Sequence, residues 1–284
     1  PPNLPTNTQP PNPSVRGGGA FPAPTPPTPS LPFIPWWCFA AAATLVCGGG
    51  GPPRCSWCLC GSFGRVGRAI LGGMSRGYFI TFEGGEGTGK STQLGLLNDW
   101  LTTLGHTTVV TREPGGTRLA EAVRALLLEP ELEPDGLSEI FLLEASRHDH
   151  VERVIRPAIE DGAVVLCDRF TDSSLVYQGL VRGLGWDEVA ELNRLATGGL
   201  DPDLTLVFDM DPEAALTRAH TRNSEGSSRE SRLDDEPAEF HRRVREGFLE
   251  LAERKPDRVR VIDADGSPEK VFARIHAVLP EALR

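Results

Sequence analysis

From residue 78 onward, short apolar runs alternate with longer amphipathic stretches. Five of the runs stand out: 78–83 (YFITFE), 107–111 (TTVVT), 163–167 (AVVLC), 204–209 (LTLVFD) and 259–263 (VRVID). Runs without polar alternation belong to strands covered on both faces, which predicts a parallel sheet. Between them the spacing predicts helices. Leu94, Leu97, Trp100, Leu101 and Leu104 fall on one helical face, and Gly105 ends that helix. Further helices are expected over 119–128, 137–158 (ending near Pro157), 187–196, 237–251 and 268–279. Strands alternating with helices make an α/β fold, here a five-stranded parallel sheet sandwiched by helices. In such sheets ligands bind beyond the carboxyl ends of the strands. The polar stretch 222–235 (RNSEGSSRESRLDD) breaks the pattern and is expected to be a mobile loop.

Residues 1–73 follow other rules. They hold no Asp, Glu or Lys, four Arg, 15 of the 25 Pro and five of the six Cys. Such a Pro-rich, Gly-rich composition cannot offset ordering entropy, and disorder is expected. Three other uses bear on this segment. The apolar run at 33–47 could serve a signal peptide, but no compact basic region precedes it. A transit peptide is a second possibility. Cys55, Cys58 and Cys60 make half a zinc site, and no histidine precedes His106. The reading preferred is an extension of translated GC-rich upstream sequence, with Met74 as the start.

The acidic side chains therefore all fall in residues 74–284, with 39 acids against 25 bases, a balance of −14. A body that acidic excludes general binding of polymeric nucleic acid, which demands a basic surface. No stretch reaches the roughly 20 apolar residues of a membrane span. Cys167 is the one cysteine after residue 73, which fits a reducing cytoplasm.

Directly after the first strand stands Gly84-Gly85-Glu86-Gly87-Thr88-Gly89-Lys90-Ser91, followed by Thr92. This is the G-x-x-x-x-G-K-[ST] phosphate loop in its strand–turn–helix context. Glycines let successive amides face one concavity, and the helix adds its positive end. Lys90 is expected to reach the β- and γ-phosphates of ATP, and Ser91 to ligate Mg²⁺. The chain has three lysines, Lys90, Lys255 and Lys270, and no N-K-x-D segment, which argues against a GTPase. A small kinase remains.

Four motifs sharpen that choice: 82–93 (FEGGEGTGKSTQ), 111–117 (TREPGGT), Asp168-Arg169-Phe170, and 173–179 (SSLVYQG). With them the sequence from about 78 to 279 resembles the thymidylate kinase family, bacterial lid-arginine type, which implies a P-loop nucleoside monophosphate kinase fold. The resemblance implies transfer of the γ-phosphoryl group of ATP to dTMP with Mg²⁺ as cofactor, and commonly a homodimer. It implies that Arg169 holds the dTMP phosphate, that Asp168 supports Mg²⁺, and that Glu86 lies near the acceptor. It also assigns Arg112 and Pro114 to the monophosphate pocket. Arg147, Ser174, Tyr177 and Gln178 are then expected around the base and sugar, with Arg147 on a thymine carbonyl and Tyr177 against a 2′-hydroxyl. The family usually has a stacking Phe four residues before that arginine. Here the position is Leu143, and Phe141 should point elsewhere.

The phosphate loop carries no arginine, so a lid over about 218–235 is expected to supply cations through Arg222, Arg229 and Arg232. Arg218 is expected to stack on adenine, beside the loop 263–267. Two rival functions stay open at this point: a P-loop kinase for another nucleotide or nucleoside acceptor, and an ATP-dependent binding module without catalysis. His148 and His150 flank Asp149 and read as a solvated helix face rather than a metal pair.

Overall fold

The computed structural model describes residues 76–129, 131–224 and 236–284. The extension expected over 1–73, Arg229 and Arg232 lie outside the described residues, as does the side chain of Arg222.

The sheet has five parallel strands: β1 (Tyr78–Gly84), β2 (Thr108–Arg112), β3 (Val164–Asp168), β4 (Leu204–Asp209) and β5 (Val259–Asp263). Their order is β2-β3-β1-β4-β5, with β1 at the centre. Strand alternation sorts the core to two faces. Ile80 and Phe82 point to one, with Leu94, Leu97 and Leu101 of α1 (Lys90–Thr103) and Val271 and Ile275 of α9 (Pro268–Val278). Phe79 points to the other, with Val165, Cys167 and Phe170. A third apolar cluster joins α6 (Trp186–Thr197) and α8 (Ala238–Arg254) to residues 175–181. Both β1 and β4 are almost wholly buried, as runs lacking polar alternation require.

Two departures from the expected elements shape the site. The helix expected over 137–158 is present as α3 (Gly136–His150) and α4 (Arg156–Glu160), and the first departure is the π-helical turn at Val151–Ile155 that joins them. A proline has no N–H for the helical ladder. A wide turn just before it takes up that break. The second departure is α5 (Thr171–Ser174), which passes into a π-helical segment at Leu175–Val181. Nearly every residue of that segment is buried, so it lacks the polar stripe by which a surface helix shows itself. The remaining helices are α2 (Arg118–Leu128), as expected, and α7 (Pro212–Ser224), which falls outside the ranges expected to be helical and makes residues 222–224 of the expected loop helical. Among the described residues, no helix is long and apolar enough to cross a membrane.

α5 is tied to the sheet by a buried charge. The fully buried Asp172 carboxylate accepts two hydrogen bonds from Arg258, at 2.6 and 2.7 Å, and one from Thr205 Oγ1 at 3.0 Å. Burial alone would raise this carboxyl, but the Arg258 bonds and charge hold it below its ordinary value. Removing one partner of a buried pair leaves an uncompensated charge. Arg258→Met should therefore lower stability in urea unfolding by about 3 kcal/mol at neutral pH. The ion-pair contribution is present above the unfolded carboxyl value and is lost as Asp172 takes up a proton. The deficit should thus shrink as the pH falls below about 4.

Candidate active site

The parallel register brings three strand ends together. Phe82 of β1 and Arg112 of β2 both pair with Asp168 of β3. The loop after β1 turns tightly, with φ of 130° at Gly84, 71° at Gly87 and 90° at Gly89. At Gly87 no side chain fits: a Cβ there would lie 1.9 Å from the Ala215 carbonyl oxygen of α7. Lys90 opens α1 and folds over the loop, its Nζ donating to the carbonyls of Gly85 at 2.7 Å and Gly84 at 3.1 Å. Thr88 Oγ1 donates to the Gly85 carbonyl. Burial pushes the Lys90 ammonium below its ordinary value, and the nearby Arg169 charge adds to the shift. Thr92, next on α1, is exposed.

Ser91 Oγ donates to Asp168 Oδ2 at 3.3 Å, while Asp168 Oδ1 is buried with no hydrogen-bond partner. A hydroxyl and a carboxylate with a spare oxygen are hard donors suited to Mg²⁺, which takes one or two protein ligands and otherwise phosphates and water. Among the described residues, no group of three or more His, Cys, Asp or Glu makes a closed metal cage.

Arg169 sits with φ of 67°, a left-handed conformation uncommon outside glycine. Its neighbours determine it closely. The Arg169 N–H donates to the Phe82 carbonyl, and the next amide, Phe170 N–H, donates to Glu83 Oε1 at 2.8 Å. Ser173 donates to the same carboxylate through N–H and Oγ. The Arg169 guanidinium then reaches Glu86 Oε1 at 2.7 Å, Ser173 Oγ at 3.2 Å and the Gly84 carbonyl at 3.3 Å, and stacks over the Tyr177 ring. Burial raises the Tyr177 phenol, which stays neutral. Glu83 is fully buried. Burial and the charge of Asp172 push its carboxyl up to about 8, against the hydrogen bonds from Ser173 and Phe170.

The other end of the site holds Arg147, 2% exposed. Its Nε donates to Glu113 Oε2 at 2.8 Å; its two terminal nitrogens donate to Glu144, Asn193, Ser174 Oγ and the Phe170 carbonyl. All five N–H groups thus have protein partners. A base carbonyl would share a donor, most readily the one whose bond to Phe170 is longest at 3.3 Å. Burial alone would lower the guanidinium, but the charges of Glu144 and Glu113 hold it firmly protonated. Leu143, one helical turn earlier, lines the same cavity, whereas Phe141 is 54% exposed. Gln178 donates to Glu139 Oε1 at 2.6 Å. Arg112 pairs with Glu121 at 2.8 Å, and the peptide between Glu113 and Pro114 is cis.

One cavity of about 750 Å³ connects these parts. It is lined by Lys90 and Ser91 at one end and by Leu143, Arg147, Tyr177 and Gln178 at the other, with Arg112, Pro114, Asp168, Arg169 and Ser174 along it. Lys90, Arg112, Arg124, Arg147 and Arg169 put five cationic side chains into one cleft of an acidic body. Four acids, Glu86, Glu113, Glu139 and Asp168, line it as well, so cations outnumber acids there while acids predominate in the body, a balance that favours anions. Arg218 lies elsewhere, 3.8 Å from Asp265, which joins α7 to the loop after β5.

Several contributors carried no signal that pattern reading used. Glu83 ends an apolar run, and Glu113 lies inside a motif read for its neighbours. Arg124 and Glu139 look like surface residues of amphipathic helices, yet both line the cavity. The expectation of a solvated face holds for His148, which is exposed, and needs correction for His150. His150 is fully buried, with Nδ1 at 3.0 Å from Glu113 Oε1, and His148 meets the Ala196 carbonyl. The two rings go to different partners, because α3 packs on both sides there.

Glu83 sets a pH dependence of stability. The folded chain keeps a proton on Glu83 up to about pH 8, while the unfolded chain loses it near 4.5. The unfolding free energy should therefore fall as the pH rises from about 5 to about 8, by at most about 1.4 kcal/mol per unit. Glu83→Gln should flatten that slope in urea unfolding across the window.

Comparison with known proteins agrees with this geometry. A family model described as thymidylate kinase matches residues 82–275. Relatives named thymidylate kinase include one from Desulfosudis oleivorans, 50% identical over 206 residues, covering 71% of this chain and 95% of the relative. Another, from Nitratidesulfovibrio vulgaris, is 51% identical over 210 residues, covering 72% of this chain and 97% of the relative. The crystal structure of thymidylate kinase from Ehrlichia chaffeensis matches with a TM-score of 0.58 at 34% identity, covering 72% of this chain and 99% of that one. With a phosphate loop facing a second arginine-lined pocket, and about half its residues identical to the Desulfosudis and Nitratidesulfovibrio relatives over most of their length, the chain belongs to the thymidylate kinase family.

Proposed function

We propose the following division of labour for the family reaction, in which the γ-phosphoryl group of ATP passes to dTMP and ADP and dTDP leave. The bond between the γ-phosphorus and its bridging oxygen breaks. A new bond forms to a phosphate oxygen of dTMP, already an anion, so no general base is needed. Catalysis is then positioning and charge neutralisation. The observation that carries this reading is the single cavity joining Lys90 and Ser91 to the buried Arg147–Tyr177 end, with Arg169 between.

The amides of 84–91 cradle the ATP phosphates, and Lys90 exchanges its loop carbonyls for phosphate oxygens. Arg169 spans donor and acceptor phosphates, with Glu86 as its alternative partner. Arg112 and the turn at Pro114 receive the dTMP phosphate. Arg147, Ser174, Leu143 and Gln178 hold the base, and Tyr177 crowds the sugar. Ser91 and Asp168 would hold Mg²⁺, which supplies charge neutralisation on the ATP phosphates. Arg218 with the 263–267 loop borders adenine, and Arg222, Arg229 and Arg232 add cations to the transfer. The enzyme works in the cytoplasm as a homodimer; the exposed Leu119, Leu126, Leu137 and Phe141 on α2 and α3 support the dimer.

Release of ADP, measured with and without dTMP, tests the reaction. Turnover should depend on dTMP and exceed that with dUMP or a deoxynucleoside. Lys90→Ala and Arg169→Ala should each lower kcat by about 10³-fold while the fold survives, as a cooperative unfolding transition above the assay temperature would show. An unchanged kcat in either variant removes that residue from the mechanism.

A further inference from the structure

The buried groups that phosphoryl transfer does not use converge at the end of α3. His150, the last residue of α3 and three positions after Arg147, has no exposed surface there and meets Thr111 on the strand that carries Arg112. Its Nδ1 lies 3.0 Å from Glu113 Oε1, and its Nε2 lies 2.7 Å from Thr111 Oγ1. A carboxylate can only accept, so Nδ1 carries the proton; the Thr111 hydroxyl can then donate to Nε2. The other oxygen of Glu113 accepts from Arg147 Nε. One carboxylate therefore joins the imidazole to the guanidinium.

The ring also fixes backbone. A Cβ on Gly116 would fall 2.5 Å from His150 Nε2 and 2.6 Å from its Cδ2, so the 114–116 turn rests directly on the imidazole. The preceding residue reinforces the contact. Asp149 Oδ2 accepts from Thr117 Oγ1 at 2.6 Å, and Thr117 caps the start of α2. The end of α3 thus grips both ends of the 111–117 segment.

We propose that His150 is a positioning residue for the acceptor nucleotide. It sets the Arg112–Pro114 turn, which receives the phosphate, at a fixed distance from Arg147, which faces the base. This rests on the assignment of that end of the cavity to dTMP. His150 touches no substrate and acts through Glu113 and Gly116. It lies away from the phosphate loop, so its influence falls on the acceptor and not on ATP.

The test is steady-state kinetics with both substrates varied, beside thermal unfolding. The wild-type chain is measured first: failure to phosphorylate dTMP sinks the acceptor assignment itself. Given wild-type turnover, His150→Leu removes both hydrogen bonds and leaves Glu113 Oε1 without its donor. The KM for dTMP should rise by about tenfold and the KM for ATP stay within about twofold. His150→Asn keeps a donor in the place of Nδ1 and should recover most of the dTMP affinity. An unmoved KM for dTMP in folded His150→Leu overturns the proposal, as does an equal rise in both KM values or no recovery with Asn. If His150→Leu does not fold, Thr111→Val decides. It strips only the outer anchor, and a raised KM for dTMP at constant KM for ATP supports the role, whereas no change overturns it.

Discussion

Parallel strands deliver all their carboxyl ends to one edge, and in this chain those ends carry the chemistry. Pairing of Phe82 and Arg112 with Asp168 puts the phosphate loop, an anion-facing arginine and the Asp168-Arg169 pair within one cleft. A register slip of one residue in β3 would turn Asp168 to the opposite face and carry Arg169 away from Glu86. Such a slip would also exchange Val164 and Leu166, packed on one face of the sheet, with Val165 and Cys167, packed on the other, and so disrupt both buried layers. The apolar pattern that builds the sheet is therefore also what aims the charges.

Those charges are costly to bury, and the fold meets the cost with partners. Arg147 is enclosed by Glu113 and Glu144, Arg169 by Glu86, and Asp172 by Arg258. Each pair crosses between elements distant in sequence, apart from the i,i+3 pair within α3. Glu83 is different: its donors are neutral, and it is held by Phe170 and Ser173 beside an arginine in a left-handed conformation. Left-handed backbone outside glycine persists where surrounding contacts over-determine it. The Glu83 carboxyl, the Phe82 carbonyl and the stack on Tyr177 supply those contacts for Arg169.

The legible part of the molecule was the part with a local cause. Apolar runs marked all five strands, and glycine spacing with Lys90 and Ser91 marked the phosphate loop, because both depend on neighbours in sequence. The helix over residues 171–181 stayed hidden, since a helix buried on all sides leaves no stripe. The helix through Pro157 was legible to within two residues, but the wide turn just before that proline left no mark in the sequence. Glu113, Glu139 and His150 could not be read as buried, because their partners lie roughly 30 to 40 positions away. The expected lid arginines fall outside the described residues, and their part in the reaction rests on sequence and family alone.

The central claim is that two phosphate groups meet beside Arg169. A crystal structure with a non-hydrolysable ATP analogue and dTMP bound together tests it most directly. The account requires the γ-phosphorus and an oxygen of the dTMP phosphate to lie within about 3.5 Å, the near-attack range, with Arg169 turned from Glu86 onto phosphate. Two nucleotides bound with their phosphates well separated, and Arg169 still paired with Glu86, would contradict it.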